Sequence, residues 1–399
     1  MIRYFTTCCI YLSFLSALLA QDTYKKTFKL MGSRFDISVV ANNQIEADNH
    51  IDTAVKEIKR IENLISSWIP ASQTSTINKN AGVKPVYVDK ELFNLIERSI
   101  KISTLTNGAF DISYASMDKI WKFDGTMKSI PSKQKVKNSV EKIGYQNIVL
   151  NRSNQTVFLK LKGSKIGFGA IGKGYAADKA KELLINNGVE SGIINASGDL
   201  VTWGQPVDSK DWMVAIVNPI EKEKVFAWLP VVNSAVVTSG DYEKFINIDG
   251  EVFSHIIDPR TGYPSAGIRS VTVFSKTAEI GDALATSVFI LGPEVGLDLI
   301  NQLKGIECLI VDSNNEIISS TNLDLGKTNQ SNIKKTGLIK KDISNKLSVL
   351  KEYEKININD PDMDLNQRKV ERFETNFQIY REAAAGANGG KSGGGCGCN

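Results

Sequence analysis

The sequence predicts an α+β fold for residues 21–326 of the 399-residue chain and a polar, partly helical or disordered tail after them. Segments rich in β-branched and apolar residues, typical of strands, are mixed with segments whose apolar residues recur at helical spacing. Because strands and helices do not alternate strictly, an α+β arrangement is favoured over a doubly wound parallel sheet. The composition becomes polar and lysine-rich near Asp324, which marks the end of the globular part.

The individual elements follow from these local patterns. Strands are predicted at 28–40, 156–161, 212–217, 270–274 and 308–311. Helices are predicted at 51–66, 92–105 and 174–187, where apolar residues form a stripe, and the third ends at the stop signal Asn187-Gly188. A further helix is predicted for the apolar run that begins near Asp282.

The first 20 residues predict export. Arg3 precedes an apolar run at 8–20, which is typical of a signal peptide and is too short to span a bilayer comfortably. Cleavage after Ala20 would release a mature chain whose main domain occupies 21–326. We therefore expect an exported protein that is periplasmic or associated with the cell envelope.

Two further regions follow the main domain. Residues 327–385 are polar and charged and predict a helical extension, and 386–399 form a flexible tail rich in Gly, Ser and Cys.

Cys308 lies in a strand-like segment and is expected to be a small core residue rather than a reactive thiol. A disulfide framework is not predicted, because the main domain is so poor in cysteine.

Charge composition excludes one class of partner. The chain carries 48 basic and 44 acidic side chains, which gives a net charge of +4. This slight excess leaves no basic footprint of the kind that binds nucleic acid, so no nucleic-acid partner is expected. Association with a membrane surface stays compatible with an exported protein.

Asp282 and Thr286 are the first candidate site residues. They are spaced i, i+4 in a predicted helix, so the carboxylate and the hydroxyl share one helix face. Two hard oxygen donors suit Mg²⁺, which completes its shell with water and phosphate. An ordinary alternative stays open, in which Asp282 caps the helix N-terminus and Thr286 bonds back to the helix backbone.

The glycine-rich stretch GFGAIG at 167–172 follows a strand and opens a helix. It matches the G-x-G-x-x-G pattern, but the irregular order of strands and helices around it argues against a Rossmann domain. Glycines and N–H groups at a helix start still favour a phosphate, and Lys173 adds a cation. We therefore favour a nucleotide pyrophosphate here. The alternative is that the glycines only allow tight packing.

His255 is one of the two histidines in the chain. It lies between a predicted strand and the turn DPRTG at 258–262. A histidine with an ordinary pKa near 6.5 can accept a proton at neutral pH. A purely structural role is the alternative, and the candidate metal pair on the next helix favours a general base.

Eight motifs in order connect these residues to a known family: MGS at 31–33, SSWIPASQTSTIN at 66–78, TNGAFDIS at 106–113, GAIGKGYAAD at 169–178, NASGDL at 195–200, VTSGDY at 237–242, SHIIDPRTG at 254–262 and GDALATSVFILG at 281–292. By these motifs the chain resembles the ApbE family, the FAD:protein FMN transferases. The resemblance implies an α+β fold of T-fold-like halves and an enzyme that binds FAD with Mg²⁺. Such an enzyme splits the FAD pyrophosphate, passes FMN through a phosphoester bond to a threonine or serine of an exported acceptor protein, and releases AMP.

The resemblance also implies roles for single residues. His255 would be the base that deprotonates the acceptor hydroxyl. The Mg²⁺ ion would be held by Asp282, Thr286 and the backbone carbonyl of Ala170. Contacts to FAD would come from Met31, Trp68, Ala109, Phe110, Asp111, Lys173 and the backbone at Ile257.

Some of these positions have ordinary alternatives or depart from the family. Trp68 offers a stacking face but is also compatible with a core tryptophan, and Asp111 with a turn or a helix cap. Gly167 stands where family members often carry Asp, so one side-chain hydrogen bond to FAD is lost there. No acceptor-like D-x-T-S-G-A-T sequence is present, so self-flavinylation is not expected.

Two rival functions remain compatible with parts of the sequence. An exported FAD pyrophosphatase would use the same metal site with water as acceptor, giving FMN and AMP. A non-catalytic flavin-binding scaffold is the second rival, and His255, Asp282 and Thr286 argue against it.

Overall fold

A nine-stranded sheet organises the chain in the computed structural model, which describes residues 21–208, 210–217, 225–242, 244–323, 333–335 and 380–381. From edge to edge its strands are β1 (Asp22–Leu30), β2 (Ser33–Ala41), β6 (Gly192–Ala196), β7 (Asp199–Trp203), β10 (Ala235–Gly240), β13 (Ile268–Ser275), β14 (Glu307–Asp312), β15 (Ile317–Ser319) and β16 (Ile333–Lys335). Neighbouring strands are antiparallel except β15 and β16, which are parallel. The mixture of helices with this largely antiparallel sheet confirms the predicted α+β class.

Seven helices and three small sheets complete the described elements. The helices are α1 (Gln44–Ile65), α2 (Gln73–Lys79), α3 (Lys90–Leu105), α4 (Lys133–Ser139), α5 (Gly172–Asn186), α6 (Ala278–Leu291) and α7 (Pro293–Asn301), with 3₁₀ turns at Ile112–Ser116 and Tyr145–Asn147. The smaller sheets pair β3 (Val86–Tyr87) and β4 (Ile148–Asn151) with β5 (Thr156–Leu159), β8 (Trp212–Val217) with β9 (Val225–Val231) and β17 (Tyr380–Arg381), and β11 (Phe245–Ile248) with β12 (Glu251–Ser254).

The large sheet is buried on both faces, which the alternation of its side chains shows directly. One face packs into the main core beneath the helices, through Ile37, Ile194, Val201 and Val237. The residue before each of the last three, on β6, β7 and β10, points to the opposite face and packs against Trp212, Val214 and Val231 of the β8–β9 pair. The core therefore has three layers: helices, large sheet and small sheet.

Helices α1, α5 and α6 form the layer that positions the site. Helix α1 contacts β2 and α5, while α6 contacts α5, β10 and β13. The apolar stripe predicted for α1 is buried as expected, and Asn43 caps that helix by accepting a hydrogen bond from the Glu46 N–H. Helix α5 ends at Asn187, followed by Gly188 with a φ of +83°, as the sequence signal predicted.

The prediction of a single strand at 28–40 is wrong. The segment is a hairpin whose strands β1 and β2 pair antiparallel around a two-residue turn at Met31 and Gly32. Both turn residues have positive φ, 49° and 71°. This conformation closes a tight hairpin, but a methionine at its first position gives no local signal for it.

Helices α5 and α6 approach each other closely at Gly174. A Cβ built on Gly174 would lie 2.1 Å from the carbonyl oxygen of Ala278 and 2.9 Å from the backbone nitrogen of Glu279. Only a residue without a side chain allows the two backbones to come this near. The salt bridge from Arg98 on α3 to Glu279, with Nε–Oε1 at 2.6 Å, holds the same end of α6.

Several expectations concern residues outside this part of the chain. The predicted signal peptide at 1–20, the boundary at 326 and the tail at 386–399 lie outside the described residues, as does most of the extension at 327–385. Within the described residues, Cys308 is fully buried in β14, which confirms a core role, and burial raises the pKa of its thiol. None of the helices in the described ranges combines the length and apolar character needed to cross a membrane.

We expect Gly174→Ala to lower the free energy of unfolding by about 1–3 kcal/mol, because the added methyl group meets backbone that cannot move aside. On an unobstructed helix the same change would raise stability by about 0.5–1 kcal/mol. Urea titration followed by circular dichroism measures the difference.

Gly172→Ala is the matched control, two residues away in the same turn. Its Cβ would meet the Cδ1 end of Ile65 at 2.9 Å, which is the end of a side chain rather than backbone, so we expect a smaller loss of stability than for Gly174→Ala. A Gly174→Ala protein as stable as the wild type would contradict the argument from close helix approach.

Candidate active site

The glycine-rich turn before α5 packs tightly on its surroundings. A Cβ on Gly167 would lie 3.1 Å from Cβ of Ala115, and a Cβ on Gly172 would crowd Ile65. Tight packing, the alternative left open by the sequence, is therefore one reason for these glycines. It does not exclude a phosphate, because the first turn of α5 concentrates the positive end of the helix dipole there. The N–H groups of Gly172 and Gly174 themselves donate to the Phe168 carbonyl and to the Asp282 carboxylate.

Asp282 lies in the second turn of α6, so it does not cap that helix. The helix begins at Ala278, and its first N–H groups, those of Ala278 and Glu279, donate to the carboxylate of Asp178 at 3.0 and 2.8 Å. Burial raises the pKa of Asp178 to about 7, against the effect of these two N–H groups. Since Asp178 supplies the cap from α5, the capping alternative for Asp282 is excluded.

The carboxylate of Asp282 faces the start of α5. Its Oδ2 accepts a hydrogen bond from the Gly174 N–H at 3.3 Å and lies 3.8 Å from Nζ of Lys173. The same Lys173 Nζ lies 2.6 Å from Oδ2 of Asp199, at the first residue of β7. We call these three side chains, Lys173, Asp199 and Asp282, the charge cluster.

The charge cluster is almost completely shielded from solvent. Only 15% of the Lys173 side chain, 3% of Asp199 and 5% of Asp282 is exposed. Burial, and then the neighbouring Asp282 carboxyl, raise the pKa of Asp199 well above its ordinary value, while Lys173 acts in the opposite direction. Two acids held this close in a site of low dielectric favour the binding of a further cation.

Thr286 adds a hydroxyl one helical turn from Asp282. Its Oγ1 lies 3.4 Å from Oγ of Ser239, on β10, so the hydroxyl points toward the sheet side of the site. The i, i+4 spacing predicted for Asp282 and Thr286 is present in α6. Ala170, the third predicted ligand, lies in the turn just before α5.

The oxygen donors at this place fit a magnesium ion. Carboxylate, hydroxyl and backbone carbonyl oxygens are the ligands that Mg²⁺ prefers, with water and phosphate completing its shell. The described residues contain no cluster of three or more His, Cys, Asp or Glu that could hold a metal by protein groups alone. Such a cluster is the signature of a dedicated metal cage, whereas Mg²⁺ shared with a phosphate substrate needs only one or two carboxylates.

His255 follows β12 directly and is 6% exposed. Its Nδ1 lies 3.0 Å from the carbonyl oxygen of Lys244. Because a carbonyl oxygen can only accept, Nδ1 carries the proton and the lone pair is on Nε2. Burial lowers the pKa of His255 to about 4; the hydrogen bond to the Lys244 carbonyl acts in the opposite direction, and the positive charges of Lys244 and Lys173 in the same one. The ring is therefore neutral at pH 7 and able to accept a proton.

Of the predicted flavin contacts, Met31 lies beside the start of α5 and Trp68 lies on the surface. Met31 is 2% exposed, and its Cε would lie 3.8 Å from a Cβ on Gly172. Trp68 is 56% exposed, which excludes the core alternative, and Nζ of Lys119 lies 4.3 Å from the centre of its ring. An exposed indole already bearing a cation on its face is able to stack on an aromatic ligand.

The segment Ala109–Phe110–Asp111 and Ile257 are buried. Oδ1 of Asp111 accepts hydrogen bonds from the N–H and hydroxyl of Ser113, and Oδ2 accepts one from the Tyr145 N–H. Asp111 is therefore the cap of a 3₁₀ turn, the alternative stated above, and burial raises its pKa. Its predicted contact with FAD remains a prediction, as does that of the Ile257 backbone, which pairs with Pro264.

The structure brings Lys173, Asp282 and Thr286 together as predicted and adds Asp199, which sequence reasoning did not select. Asp199 lies in the motif NASGDL and opens a strand, DLVTW, whose residues are all buried. The signal that could have indicated Asp199 is an acidic residue at the start of a strand whose other residues are mostly apolar. Its partner Lys173 is 26 residues earlier, so the pair itself had no local signature.

Comparison with known proteins identifies the family of the chain. The sequence profile of the ApbE family matches residues 31–310, and the profile of a domain of unknown function, DUF4266, matches residues 350–399. The chain is 31% identical over 300 residues to an FAD:protein FMN transferase of Klebsiella pneumoniae (strain 342), covering 75% of this chain and 92% of that protein. It is 30% identical over 325 residues to the FAD:protein FMN transferase of Buchnera aphidicola subsp. Baizongia pistaciae (strain Bp), covering 79% and 95%.

Solved structures share the fold. The crystal structure of the ApbE protein of Thermotoga maritima superimposes with a TM-score of 0.68 at 29% identity, covering 75% of this chain and 97% of that one. The flavin transferase ApbE of Vibrio cholerae gives a TM-score of 0.67 at 21% identity, covering 75% and 98%, a likeness of fold. Sequence, fold and the order of the site motifs all agree, and the chain belongs to the ApbE family.

Proposed function

We propose that this protein transfers FMN from FAD to a threonine or serine hydroxyl of an exported acceptor protein, with Mg²⁺ bound and AMP released. Its family membership makes it a transferase, and its curated relatives are FAD:protein FMN transferases. The observation that carries the finer proposal is the buried charge cluster at the first turn of α5.

The start of α5 supplies what a pyrophosphate needs. The positive end of the helix dipole favours the phosphate oxygens, and the ammonium of Lys173 adds a full charge. Asp282, Thr286 and the carbonyl of Ala170 would hold Mg²⁺ beside them. When bound, the ion would offset the negative charge that develops on the AMP leaving group.

His255 is suited to activate the acceptor hydroxyl. In the transfer, the hydroxyl oxygen forms a bond to the FMN phosphorus while the bond from that phosphorus to the bridging oxygen breaks, and AMP leaves with that oxygen. The hydroxyl proton goes to Nε2 of His255, whose orientation is set by the hydrogen bond from Nδ1 to the Lys244 carbonyl. Because the ring is buried, bulk water has little access to it during this proton transfer.

The acceptor and the location complete the proposal. The signal peptide predicted at 1–20 supports export to the periplasm or cell envelope, where the acceptor would also be. Hydrolysis of FAD to FMN and AMP is the competing outcome, because water can take the place of the acceptor hydroxyl at the same site.

The proposal is tested by incubating the purified protein with FAD, Mg²⁺ and the exported proteins of the source cell. We expect intact-mass and peptide mass spectrometry to find FMN on threonine or serine of at least one protein, with one AMP formed per adduct. AMP formation without any protein adduct would contradict transfer and favour the pyrophosphatase.

Asp282→Ala should abolish transfer while the protein stays folded, because the cation loses its carboxylate ligand. EDTA should also abolish transfer by the wild-type protein. Added Mg²⁺ should restore transfer by the EDTA-treated wild type but not by Asp282→Ala. Asp312→Asn is a matched control and should transfer FMN normally. Asp312 is a buried acid on β14 whose carboxylate accepts hydrogen bonds from the Asn314 and Glu316 N–H groups. Transfer near the wild-type rate in Asp282→Ala with EDTA present would overturn the metal assignment.

His255→Ala should bind FAD normally but transfer FMN about 10²–10⁴-fold more slowly, the usual effect of losing a general base. FAD affinity is measured by fluorescence titration and the rate by single-turnover mass spectrometry. If the variant lost FAD binding and transferred at the normal rate once saturated, His255 would be a binding residue.

The pH dependence follows from the lowered pKa of His255. The neutral ring is the active form, so kcat/KM should be insensitive to His255 titration near neutral pH and should fall as the pH drops toward about 4. The residual activity of His255→Ala should lack this acid limb. An acid limb near 6.5, the ordinary pKa of histidine, would contradict the buried environment described here.

A further inference from the structure

Lys173 is shared unequally between two carboxylates. Its Nζ lies 2.6 Å from Oδ2 of Asp199 but 3.8 Å from Oδ2 of Asp282. The first distance is that of a charge-assisted hydrogen bond, whereas the second is too long for one. Asp199 therefore holds the ammonium on its own side of the charge cluster.

The alternative position of Lys173 would block the site. A buried ammonium that loses its acid partner is strongly disfavoured and moves toward the next carboxylate within reach. That carboxylate is Asp282, whose Oδ2 lies 3.8 Å from Nζ, about 0.6 Å beyond hydrogen-bond distance. An ammonium bonded to Asp282 would occupy the oxygen that a divalent cation needs and would repel the cation by like charge.

We propose that Asp199 is a positioning residue, which keeps the Lys173 ammonium away from Asp282 and so keeps Asp282 available to a divalent cation. The inference rests on the cation site of the proposed function and adds a residue that acts on that site through Lys173. Asp199 thereby sets the affinity for the cation without contacting it.

A double-mutant cycle tests this with Mn²⁺ alone, measured by calorimetry and by the loss of its free-ion EPR signal, in the full chain without FAD. Asp199→Asn should weaken Mn²⁺ binding about tenfold, since the neutral amide releases Lys173 toward Asp282. In a Lys173→Gln background the same change should weaken binding less than about threefold, because there is no ammonium left to move. The double variant also keeps the net charge of the wild type.

Two controls separate positioning from a structural role. Asp199→Glu retains the charge and should bind Mn²⁺ within about threefold of the wild type, and Asp312→Asn should bind it normally. Lys173→Gln alone should not weaken Mn²⁺ binding, which keeps the proposal testable even if Asp199→Asn fails to fold.

Three results would contradict specific parts of the argument. Equal weakening by Asp199→Asn in both backgrounds would make Asp199 a direct ligand or a purely structural residue and overturn the proposal. No weakening in either background would overturn it as well. If the wild type bound no Mn²⁺ and Mg²⁺ had no effect on FMN transfer, the metal site of the proposed function would be wrong. The role of Asp199 would then be overturned with it, because that role depends on a bound cation.

Discussion

The close crossing of α5 and α6 is the constraint on which the site depends. At Gly174 the two backbones approach until a single methyl group would overlap the Ala278 carbonyl. Asp178, one turn further along α5, accepts the first two N–H groups of α6 and so fixes where that helix begins. Because both helices are held at their N-terminal ends, Lys173 and Asp282 face each other from different parts of the chain. The contact between the two helices is what brings these two residues together.

Burial then gives the charge cluster its chemical character. Three ionisable side chains in a site almost closed to water interact far more strongly than they would at a surface, and each would be unfavourable alone. Because burial and Asp282 raise the pKa of Asp199, two ionised carboxylates beside one ammonium are unfavourable here. In the proposed function a divalent cation would relieve this repulsion, and the phosphates would lie at the N-terminus of α5.

His255 reaches the site from a separate element, the short pair of strands β11 and β12. The hydrogen bond to the Lys244 carbonyl sets the tautomer, and the ring packs edge-on against Phe123 with the two ring centres 6.5 Å apart. Neutrality and orientation thus come from packing rather than from a neighbouring acid. The proposed base therefore lies on a different element from the residues proposed to bind the phosphates and the cation.

The sequence by itself determined the α+β class, the three long helices and the residue pattern of the site, because these rest on local periodicity and on motifs that survive in order. It also selected Asp282, Thr286, Lys173 and His255 as candidate site residues. The hairpin at Met31 was missed because a positive φ at methionine leaves no trace in a hydrophobic pattern.

Only the tertiary structure could decide which acids meet. Asp178 caps a helix that begins 100 residues later, and Asp199 pairs with Lys173 across two elements. The role of each carboxylate depends on which backbone or side chain faces it after packing. Sequence spacing carries that information only within one helix or one turn, where neighbours along the chain are also neighbours in space.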